Sequence, residues 1–306
     1  MRTFVGIEIG GTKLQVVVGS EEAEIIERFR FMVNQEAGAS GIKKQIREAL
    51  RKVHLHSVAA IGIGFGGPVD HTTGRIITSY QIRGWGDFVL QDWLEKETGI
   101  PVWIDNDANV AALAESLHGA GKDFRRVFYI TMGSGVGAGL VIDGRLYHGA
   151  KITEAEFGHI RLDKSARTVE SACSGWAVDE KIRSYVALHP DSTLAGLTKD
   201  FPRAEARALP AALAAGDGAA REIFEETIDD FSFALSHAVH LVNPDTVIIG
   251  GGLSLTGEPL RLEIERKLPR YLMDVLQPGP RIQLSALKED AVPVGAVSLA
   301  IHKLTS

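Results

Sequence analysis

The chain has 306 residues and a single cysteine, Cys173. One cysteine excludes an internal disulfide and any metal site built from several thiolates. The sequence also lacks an apolar run long enough to cross a membrane and lacks a block of basic residues, which argues against an integral membrane protein and against a nucleic-acid partner. Met1-Arg2-Thr3 leads straight into a predicted strand, without a signal-peptide pattern. We therefore expect a soluble cytoplasmic protein.

The composition is that of an ordinary globular protein, with 45% hydrophobic residues, 24% charged residues and a net charge of −6. A chain of this length exceeds what one hydrophobic core usually supports, so we expect two domains. The segment Gly119-Ala120-Gly121-Lys122 is the predicted boundary. It separates a domain over 1–119, joined by the C-terminal helix 293–306, from a second domain over 120–292.

Two glycine-rich turns have the same surroundings. Residues 4–9 form a predicted strand that runs into Gly10-Gly11-Thr12-Lys13, and residues 127–131 run into Gly133-Ser134-Gly135-Val136-Gly137. A further apolar strand leaves each turn. A glycine turn between two strands lets backbone N–H groups approach an anion, because no Cβ blocks the way. One such turn in each half predicts a duplicated fold that holds a polyphosphate.

Other glycine motifs do not fit these segments. Gly10 to Lys13 reads G-G-T-K, which is not a P-loop. Residues 62–67 match G-x-G-x-x-G and residues 133–138 match G-x-G-x-x-A, but the first is followed by Pro68-Val69-Asp70 and the second by a strand. The dinucleotide fingerprint needs a helix at that point, so we reject a dinucleotide-binding fold.

The order of predicted elements repeats between the two halves. Apolar runs bounded by turn residues predict the strands, and helical spacing of apolar residues predicts the helices. The predicted strands are 3–9, 14–19, 25–32, 58–65, 101–105, 126–132, 138–142, 145–147, 246–249 and 281–285; the predicted helices are 39–53, 87–98, 108–118, 217–242, 259–273 and one from 295 onward. Two βββαβαβα halves are the pattern of the α/β, actin-like (ribonuclease-H-like) fold, with an active site expected in the cleft between its domains.

Six short motifs, taken in order and spacing, resemble one family. They are Glu8–Lys13, Gly64–Asp70, Asp105–Asn109, Thr131–Gly139, Glu156–His159 and Ile249–Gly252. The chain resembles the ROK family of bacterial sugar kinases, which includes glucokinases, fructokinases and N-acetylhexosamine kinases, along nearly its whole length. The resemblance implies phosphoryl transfer from ATP, with Mg²⁺, to a hydroxyl of a hexose or N-acetylhexosamine, and it implies a homodimer.

Asp107 is the predicted general base. Phosphoryl transfer needs a carboxylate that takes the proton of the acceptor hydroxyl. The alternative role for Asp107 is to cap the following helix, but Asp105, Asn106 and Asp107 come in succession and one cap suffices. The resemblance implies sugar contacts at Gly67, Ser79, Asn106, Asp107, Glu156, His159 and Glu170. It implies ATP contacts at Gly10, Gly11, Thr12, Lys13, Thr131, Gly133, Ser134, Gly135, Gly137, Gly250, Gly251 and Gly252.

The sequence departs from the family in two places. Glu8 stands where the family usually has an aspartate near the magnesium, and its carboxylate reaches one methylene further, so we expect it to act through water. Many members also hold a structural zinc with three cysteines that precede a glutamate. Residues 161–170 lack those cysteines, although the glutamate remains as Glu170. We predict that this chain has no structural zinc site.

Two other functions stay open. A polyphosphate-dependent glucokinase resembles this chain and also lacks the cysteines, but Thr12-Lys13 and Asn109 favour ATP. The family also contains sugar-responsive repressors, and only Met1 to Gly6 precede the first glycine turn's strand here. A sugar-binding regulator without a DNA-binding domain is therefore the second alternative. Similar motifs serve glucose, fructose, mannose, N-acetylglucosamine and N-acetylmannosamine.

Overall fold

The computed structural model describes residues 2–150 and 152–305. The chain divides into two compact units. Unit 1 comprises Met1–Lys122, Gly139–Glu154 and Glu289–Ser306, and unit 2 comprises Asp123–Ala138 and Ala155–Lys288. The segment Gly139–Glu154, which the sequence analysis assigned to the second domain, therefore belongs to unit 1.

The elements are numbered along the chain. The strands are β1 Thr3–Ile9, β2 Lys13–Gly19, β3 Ile25–Met32, β4 Val58–Phe65, β5 Val69–Asp70, β6 Arg75–Ile76, β7 Phe88–Val89, β8 Val102–Asn106, β9 Arg126–Met132, β10 Val136–Ile142, β11 Arg145–Leu146, β12 Thr246–Gly250 and β13 Arg281–Leu284. The helices are α1 Gly38–Leu50, α2 Leu90–Thr98, α3 Asp107–His118, α4 Val169–Cys173, α5 Gly175–Leu188, α6 Thr193–Thr198, α7 Leu209–Ala214, α8 Gly218–Val242, α9 Glu258–Lys267 and α10 Ala291–Thr305. Within the described part of the chain, no helix has the length and apolar character that crossing a membrane requires.

Two five-stranded sheets have the same strand order. The first has the order β3-β2-β1-β4-β8, with β1 antiparallel to β2 and parallel to β4. The second has the order β11-β10-β9-β12-β13, with β10 antiparallel to β11, and β12 parallel to both β9 and β13. In each sheet the first strand of its half lies at the centre, which is the duplicated arrangement that the sequence predicts. Parallel neighbours bring their carboxyl ends to one edge, where ligand sites of α/β proteins form.

Helix α10 lies close to the first sheet of unit 1 because glycines leave space for it. A Cβ atom at Gly62 of β4 would collide with the backbone of Ala296, and one at Gly295 would collide with the carbonyl oxygen of Val110 in α3. The backbones of α10, β4 and α3 therefore approach one another more closely than any side chain larger than that of glycine would allow. The C-terminal helix thereby packs on β4, the neighbour of β8 in the sheet, and on α3, the helix that begins at Asp107.

Each unit has an apolar core. In unit 1 the buried side chains of β1, β2, β4 and β8, such as Ile7 and Ile63, pack with those of α1 and α2 and with Trp85 from the loop before β7. In unit 2, Phe157 contacts Phe128 and Phe231 edge to face, with ring centroids 6.0 and 5.6 Å apart. Phe231 lies in α8, whose apolar residues the helical spacing placed on one face.

Several predicted boundaries shift for local reasons. Helix α2 begins at Leu90 and not at Asp87, since Asp87 has φ +57° and is left-handed. Helix α9 ends at Lys267, because Pro269 has no N–H to continue the α-helical hydrogen bonds, and the chain continues as a 3₁₀ helix over Leu268–Tyr271. Helix α10 begins at Ala291, four residues before the predicted start, and Pro293 lies in its first turn, where a missing N–H costs little.

Candidate active site

The turn from β8 into α3 carries Asn106 and Asp107. Asn106 is the helix N-cap: its Oδ1 accepts hydrogen bonds from the backbone N–H groups of Ala108 at 2.8 Å and Asn109 at 3.4 Å. Its Nδ2 donates to the carbonyl oxygen of Gly67 at 3.2 Å. The capping role therefore belongs to Asn106. Asp107 is the first helical residue, and its charge lies at the positive end of the α3 dipole.

The Asp107 carboxylate lies beside the ends of two neighbouring strands. Its Oδ1 accepts a hydrogen bond from the backbone N–H of Ala108 at 2.8 Å. A Cβ atom at Gly66 would lie 3.3 Å from Oδ2 of Asp107, 3.4 Å from the carbonyl oxygen of Ile9 and 3.7 Å from Cα of Gly10. Gly66 thus lies between the Asp107 carboxylate and the start of the first glycine-rich turn, with no side chain of its own to fill the space.

The first glycine-rich turn is partly engaged by its own chain. The backbone N–H of Gly10 donates to the carbonyl oxygen of Lys13 at 3.0 Å, and the carbonyl oxygen of Thr12 accepts from Val33 at 3.0 Å. A Cβ atom at Gly11 would collide with the side chain of Gln81. Gln81 therefore covers the turn in this structure, a contact that sequence reasoning missed because no local pattern connects two residues 70 positions apart.

Glu8 belongs to a polar network at the carboxyl end of β1. Its Oε1 lies 3.2 Å from Nζ of Lys13, and its Oε2 accepts a hydrogen bond from Nε2 of Gln15 at 2.6 Å. Oε1 of Gln15 in turn accepts hydrogen bonds from Arg28 and Arg30 at 3.1 and 2.9 Å. Burial raises the pKa of Glu8 above its ordinary value, although Lys13 and Gln15 act in the opposite direction. Lys13, predicted as an ATP contact, thus pairs with Glu8.

The second glycine-rich turn, in unit 2, is closed by Glu170. The N–H of Gly133 donates to the carbonyl oxygen of Gly135 at 2.9 Å, and the N–H of Gly175 donates to Gly133 at 2.7 Å. The carboxylate of Glu170 accepts from the backbone N–H of Val136 at 2.9 Å. Ser134 and Gly137, two other predicted ATP contacts, flank these bonds in the sequence.

Glu156 and His159 lie at a short 3₁₀ helix that packs against the same turn. The helix spans Phe157–His159, and a Cβ atom at Gly158 would collide with the backbone of Val136. Nε2 of His159 lies 4.0 Å from Oε2 of Glu156, and the two side chains are 68% and 42% exposed. Unit 2 therefore brings the predicted sugar contacts Glu156, His159 and Glu170 to its glycine turn. Unit 1 holds the others, Gly67, Ser79, Asn106 and Asp107.

The glycines at the end of β12 and directly after it lie against the end of β9. Gly250 pairs with Thr131 in the parallel register of β12 and β9. Gly251 has φ +80°, and a Cβ atom there would lie 2.5 Å from the carbonyl carbon of Met132, so only glycine fits this conformation and this contact. Gly252 faces open space, with no atom within 4 Å of an added Cβ. The predicted ATP contacts of unit 2 thus lie at one edge of its sheet.

A polar cluster behind the Asp107 turn was not predicted. Asp105 is buried, with Nε2 of His148 2.8 Å from its Oδ2. Nδ2 of Asn109 donates to Oδ1 of Asp105 at 2.8 Å and to Oε1 of Glu154 at 2.7 Å. The ring of His71 stacks on His148 with centroids 3.6 Å apart. Asp105 was visible in the Asp-Asn-Asp motif, but His148 and Glu154 follow β11 in a stretch without periodicity.

The loop that holds zinc cysteines in the family is held here by hydrogen bonds. Arg161 pairs with Thr168 as an isolated antiparallel bridge, and the N–H of Leu162 donates to the carbonyl oxygen of Arg167 at 3.0 Å. Asp163 accepts from the backbone N–H of Ser165 at 2.6 Å. Thr168 caps α4 in a capping box with Ser171. Glu170 is thereby fixed at the start of this helix.

Residues 4–303 match the ROK family. The chain belongs to the ROK family. A glucokinase of Halalkalibacterium halodurans is 31% identical over 309 residues, covering 96% of this chain and 93% of the relative. A glucokinase of Thermotoga maritima is 30% identical over 310 residues, covering 98% of each. The crystal structure of a ROK family glucokinase from Streptomyces griseus in complex with glucose and AMPPNP matches with a TM-score of 0.86 and 31% identity, covering 98% of this chain and 99% of that one.

These similarities confirm the predicted family, the α/β fold with two actin-like domains, and the class of activity. The chain is a sugar kinase. The matches extend over nearly the whole length of each relative.

Proposed function

We propose that this chain transfers the γ-phosphoryl group of ATP to a hydroxyl of a hexose or N-acetylhexosamine, with Asp107 as general base. The observation that carries the proposal is the place of the Asp107 carboxylate beside Gly66, which separates it from Gly10 of the first glycine-rich turn without a side chain in between. Glucose is the first sugar to test, because the similar Streptomyces griseus enzyme was crystallised with glucose and AMPPNP.

In the proposed reaction the acceptor oxygen attacks the γ-phosphorus of ATP. The bond between that phosphorus and the β–γ bridging oxygen breaks, and ADP leaves with the electron pair. The proton of the sugar hydroxyl passes to the carboxylate of Asp107. Such a transfer depends on positioning and on charge stabilisation more than on covalent participation by the protein. The α3 N-terminus and the Asn106 cap hold Asp107 in one place for this step.

Magnesium accompanies ATP in this proposal, and when bound it neutralises charge on the phosphates. A carboxylate at the carboxyl end of β1 suits an ion that prefers oxygen ligands. Both oxygens of Glu8 already contact Lys13 and Gln15. We therefore propose that Glu8 orients a water of the ion and does not ligate it directly.

Backbone groups of the two glycine turns are the proposed phosphate contacts, and Gly250, Gly251 and Gly252 are proposed beside the adenosine. For the first turn to bind phosphate, the side chain of Gln81 has to leave Gly11. The proposed sugar contacts are Gly67, Ser79, Asn106, Asp107, Glu156, His159 and Glu170. Carboxylate, amide and imidazole groups suit sugar hydroxyls, which both donate and accept hydrogen bonds. A homodimer is proposed on the family resemblance, and light scattering after gel filtration tests it.

One experiment separates the proposed function from its two alternatives. The purified protein is assayed with a panel of hexoses and N-acetylhexosamines, each with ATP and with polyphosphate as donor, with Asp107→Asn as the matched inactive control. We expect the wild type to form the phosphorylated sugar with ATP, and Asp107→Asn to form none. Product with polyphosphate alone would favour the polyphosphate-dependent glucokinase. Sugar binding without product from either donor would favour the regulator.

A further inference from the structure

His148 lies at the end of a hydrogen-bonded chain that leads to the Asp107 turn. Its Nε2 donates to Oδ2 of Asp105 at 2.8 Å. The other oxygen of Asp105 accepts from the backbone N–H of Asn106 and from Nδ2 of Asn109, both at 2.8 Å. Asp105 is only 2% exposed, so hydrogen bonds from these three donors take the place of hydrogen bonds from water. The carboxylate therefore fixes the backbone and one side chain of the segment from which Asp107 projects.

A buried carboxylate needs a compensating charge, because removing it from water is costly. The charged and titratable groups around the pair are His71, Glu154 and Lys303. Of these neighbours, Glu154 carries a negative charge. The positive charge of Lys303 acts on the two imidazole rings by electrostatic repulsion, without a hydrogen bond to them. His148 is the neighbour in direct hydrogen bond with Asp105, and in its imidazolium form it supplies the compensating charge.

The two stacked rings differ in their affinity for a proton. Burial lowers the pKa of His148, but the hydrogen bond and charge of Asp105 outweigh it and raise the pKa above its ordinary value. Burial and the neighbouring charge of His148 lower the pKa of His71. The ring centroids are 3.6 Å apart and the ring planes are 14° from parallel, so positive charges on both rings would repel each other. Of the two histidines, His148 is therefore the one that carries the additional proton.

We propose that His148 is a positioning residue for phosphoryl transfer: its imidazolium holds Asp105, and Asp105 holds the Asn106–Asn109 turn that aims Asp107. The proposal rests on the proposed role of Asp107 as general base. It predicts that turnover falls at alkaline pH as His148 loses its proton. A neutral ring still donates one hydrogen bond but without charge, and the difference between charged and neutral hydrogen bonds corresponds to about fivefold in kcat.

The same cluster has the composition of a metal site. Single ligand atoms of Asp105, His148 and Glu154 lie within 4.8 Å of one another. However, Nδ2 of Asn109 already donates to Asp105 and to Glu154 from between them. Each carboxylate thus has a protein donor, and the arrangement is closed without an ion. Metal binding is the alternative outcome that the experiment has to detect.

The test compares wild type with His148→Gln, Asp105→Asn and the control His71→Phe. Glutamine can donate to Asp105 without charge, and phenylalanine keeps a ring in the stack. The measurements are the pH profile of kcat with ATP and sugar, and the NMR titration of the His148 ring. We expect kcat of the wild type and of His71→Phe to fall about fivefold with the titration of His148, whereas His148→Gln is low throughout and lacks this decrease. We also expect Asp105→Asn to lower the pKa of His148.

Three results would overturn the proposal. The first is a His148 titration in the wild type that does not coincide with the alkaline decrease in kcat, a comparison that needs no variant to fold. The second is an unchanged pKa of His148 in Asp105→Asn. The third is a zinc ion, detected by equilibrium dialysis, that His148→Gln loses and His71→Phe keeps. If Asp107 is not the general base, Asp107→Asn retains turnover, whereas the NMR titration of His148 is unaffected. The two proposals can therefore fail separately.

Discussion

Glu170 accepts a hydrogen bond from the backbone N–H of Val136 at 2.9 Å. Glu170 lies in the first turn of α4, and Val136 is the residue at which β10 leaves the second glycine-rich turn. A Cβ atom at Gly135 would collide with the same carboxylate. A residue that the family resemblance implies as a sugar contact therefore also closes a turn proposed to bind phosphate.

We expect Glu170→Ala to weaken both sugar binding and the fold of unit 2. The hydrogen bond of a charged acceptor is lost and the N–H of Val136 is left without this partner, which costs about 1.5–3 kcal/mol. Thermal unfolding and the KM for sugar measure the two effects. Glu180→Ala is the matched control, because Glu180 pairs with Arg183 on the exposed surface of α5. Equal melting temperatures of the two variants would refute the role of Glu170 in the turn.

Asp107→Asn is expected to remove turnover and to leave sugar binding largely intact. The amide keeps the shape of the side chain but cannot take the hydroxyl proton, and loss of a general base lowers the rate about 10²–10⁴-fold. Steady-state kinetics and sugar binding by calorimetry are the measurements, with Asp191→Asn, an exposed residue between α5 and α6, as control. A variant that retains more than about half of the wild-type kcat would exclude Asp107 as the base.

The Asp105-Asn106-Asp107 motif shows how far sequence reasoning reaches. Three polar residues after an apolar strand indicated more than a helix cap, since one residue suffices to cap α3. They did not show that Asn106 is the cap or that Asp105 is buried, since its partner His148 is 43 residues away. The small sheet β5-β6-β7 was also missed, because two-residue strands have no periodicity to read. Long apolar strands, glycine turns and the α8 face were predictable, since each depends on local pattern.

Glu8→Gln is expected to raise the magnesium concentration required for half-maximal activity by about 10-fold, as loss of an outer-sphere partner of a metal commonly does. Gln15→Ala is the matched control, because it removes the hydrogen bond to Glu8 at 2.6 Å but keeps the carboxylate. Initial rates over a magnesium titration at saturating ATP measure the effect. Superimposable titrations of wild type and Glu8→Gln would show that Glu8 is purely structural.

His118 should make the fold less stable as the pH falls. The ring is hydrogen-bonded to Oγ of Ser298 at 3.1 Å, and burial together with the charge of His302 lowers its pKa. The unfolded chain, with a histidine pKa of about 6.5, then binds more protons than the folded one. Stability is therefore complete above that value and is lost as pH falls through the lowered folded pKa.

Chemical denaturation over a pH series measures this dependence. His118→Gln keeps a hydrogen-bonding group for Ser298 and should flatten the slope, while His56→Gln, in the short helix Leu55–Ser57, is the control. An unchanged slope in His118→Gln would assign the acid sensitivity to other groups.

The loop over 161–170 is expected to hold no structural zinc, because it lacks the ligands for a closed tetrahedral site. Cys173, the single cysteine, is buried with its Sγ 3.4 Å from the carbonyl oxygen of Thr227, and burial raises the pKa of its thiol to about 12. That thiol does not supply a thiolate. Asp163 is engaged by Ser165, and His159 is left as one exposed imidazole.

The loop over 161–170 is held by hydrogen bonds within the chain. The bridge between Arg161 and Thr168 and the capping box of α4 hold the loop that carries Glu170. We therefore expect the melting temperature to be the same with and without EDTA, unlike that of folds that depend on zinc. Elemental analysis of protein purified without a metal-affinity tag provides the second measurement. If zinc is found, repeating both measurements on His148→Gln assigns it: zinc that persists in this variant, with a melting temperature that falls on chelation, would contradict the prediction for the loop.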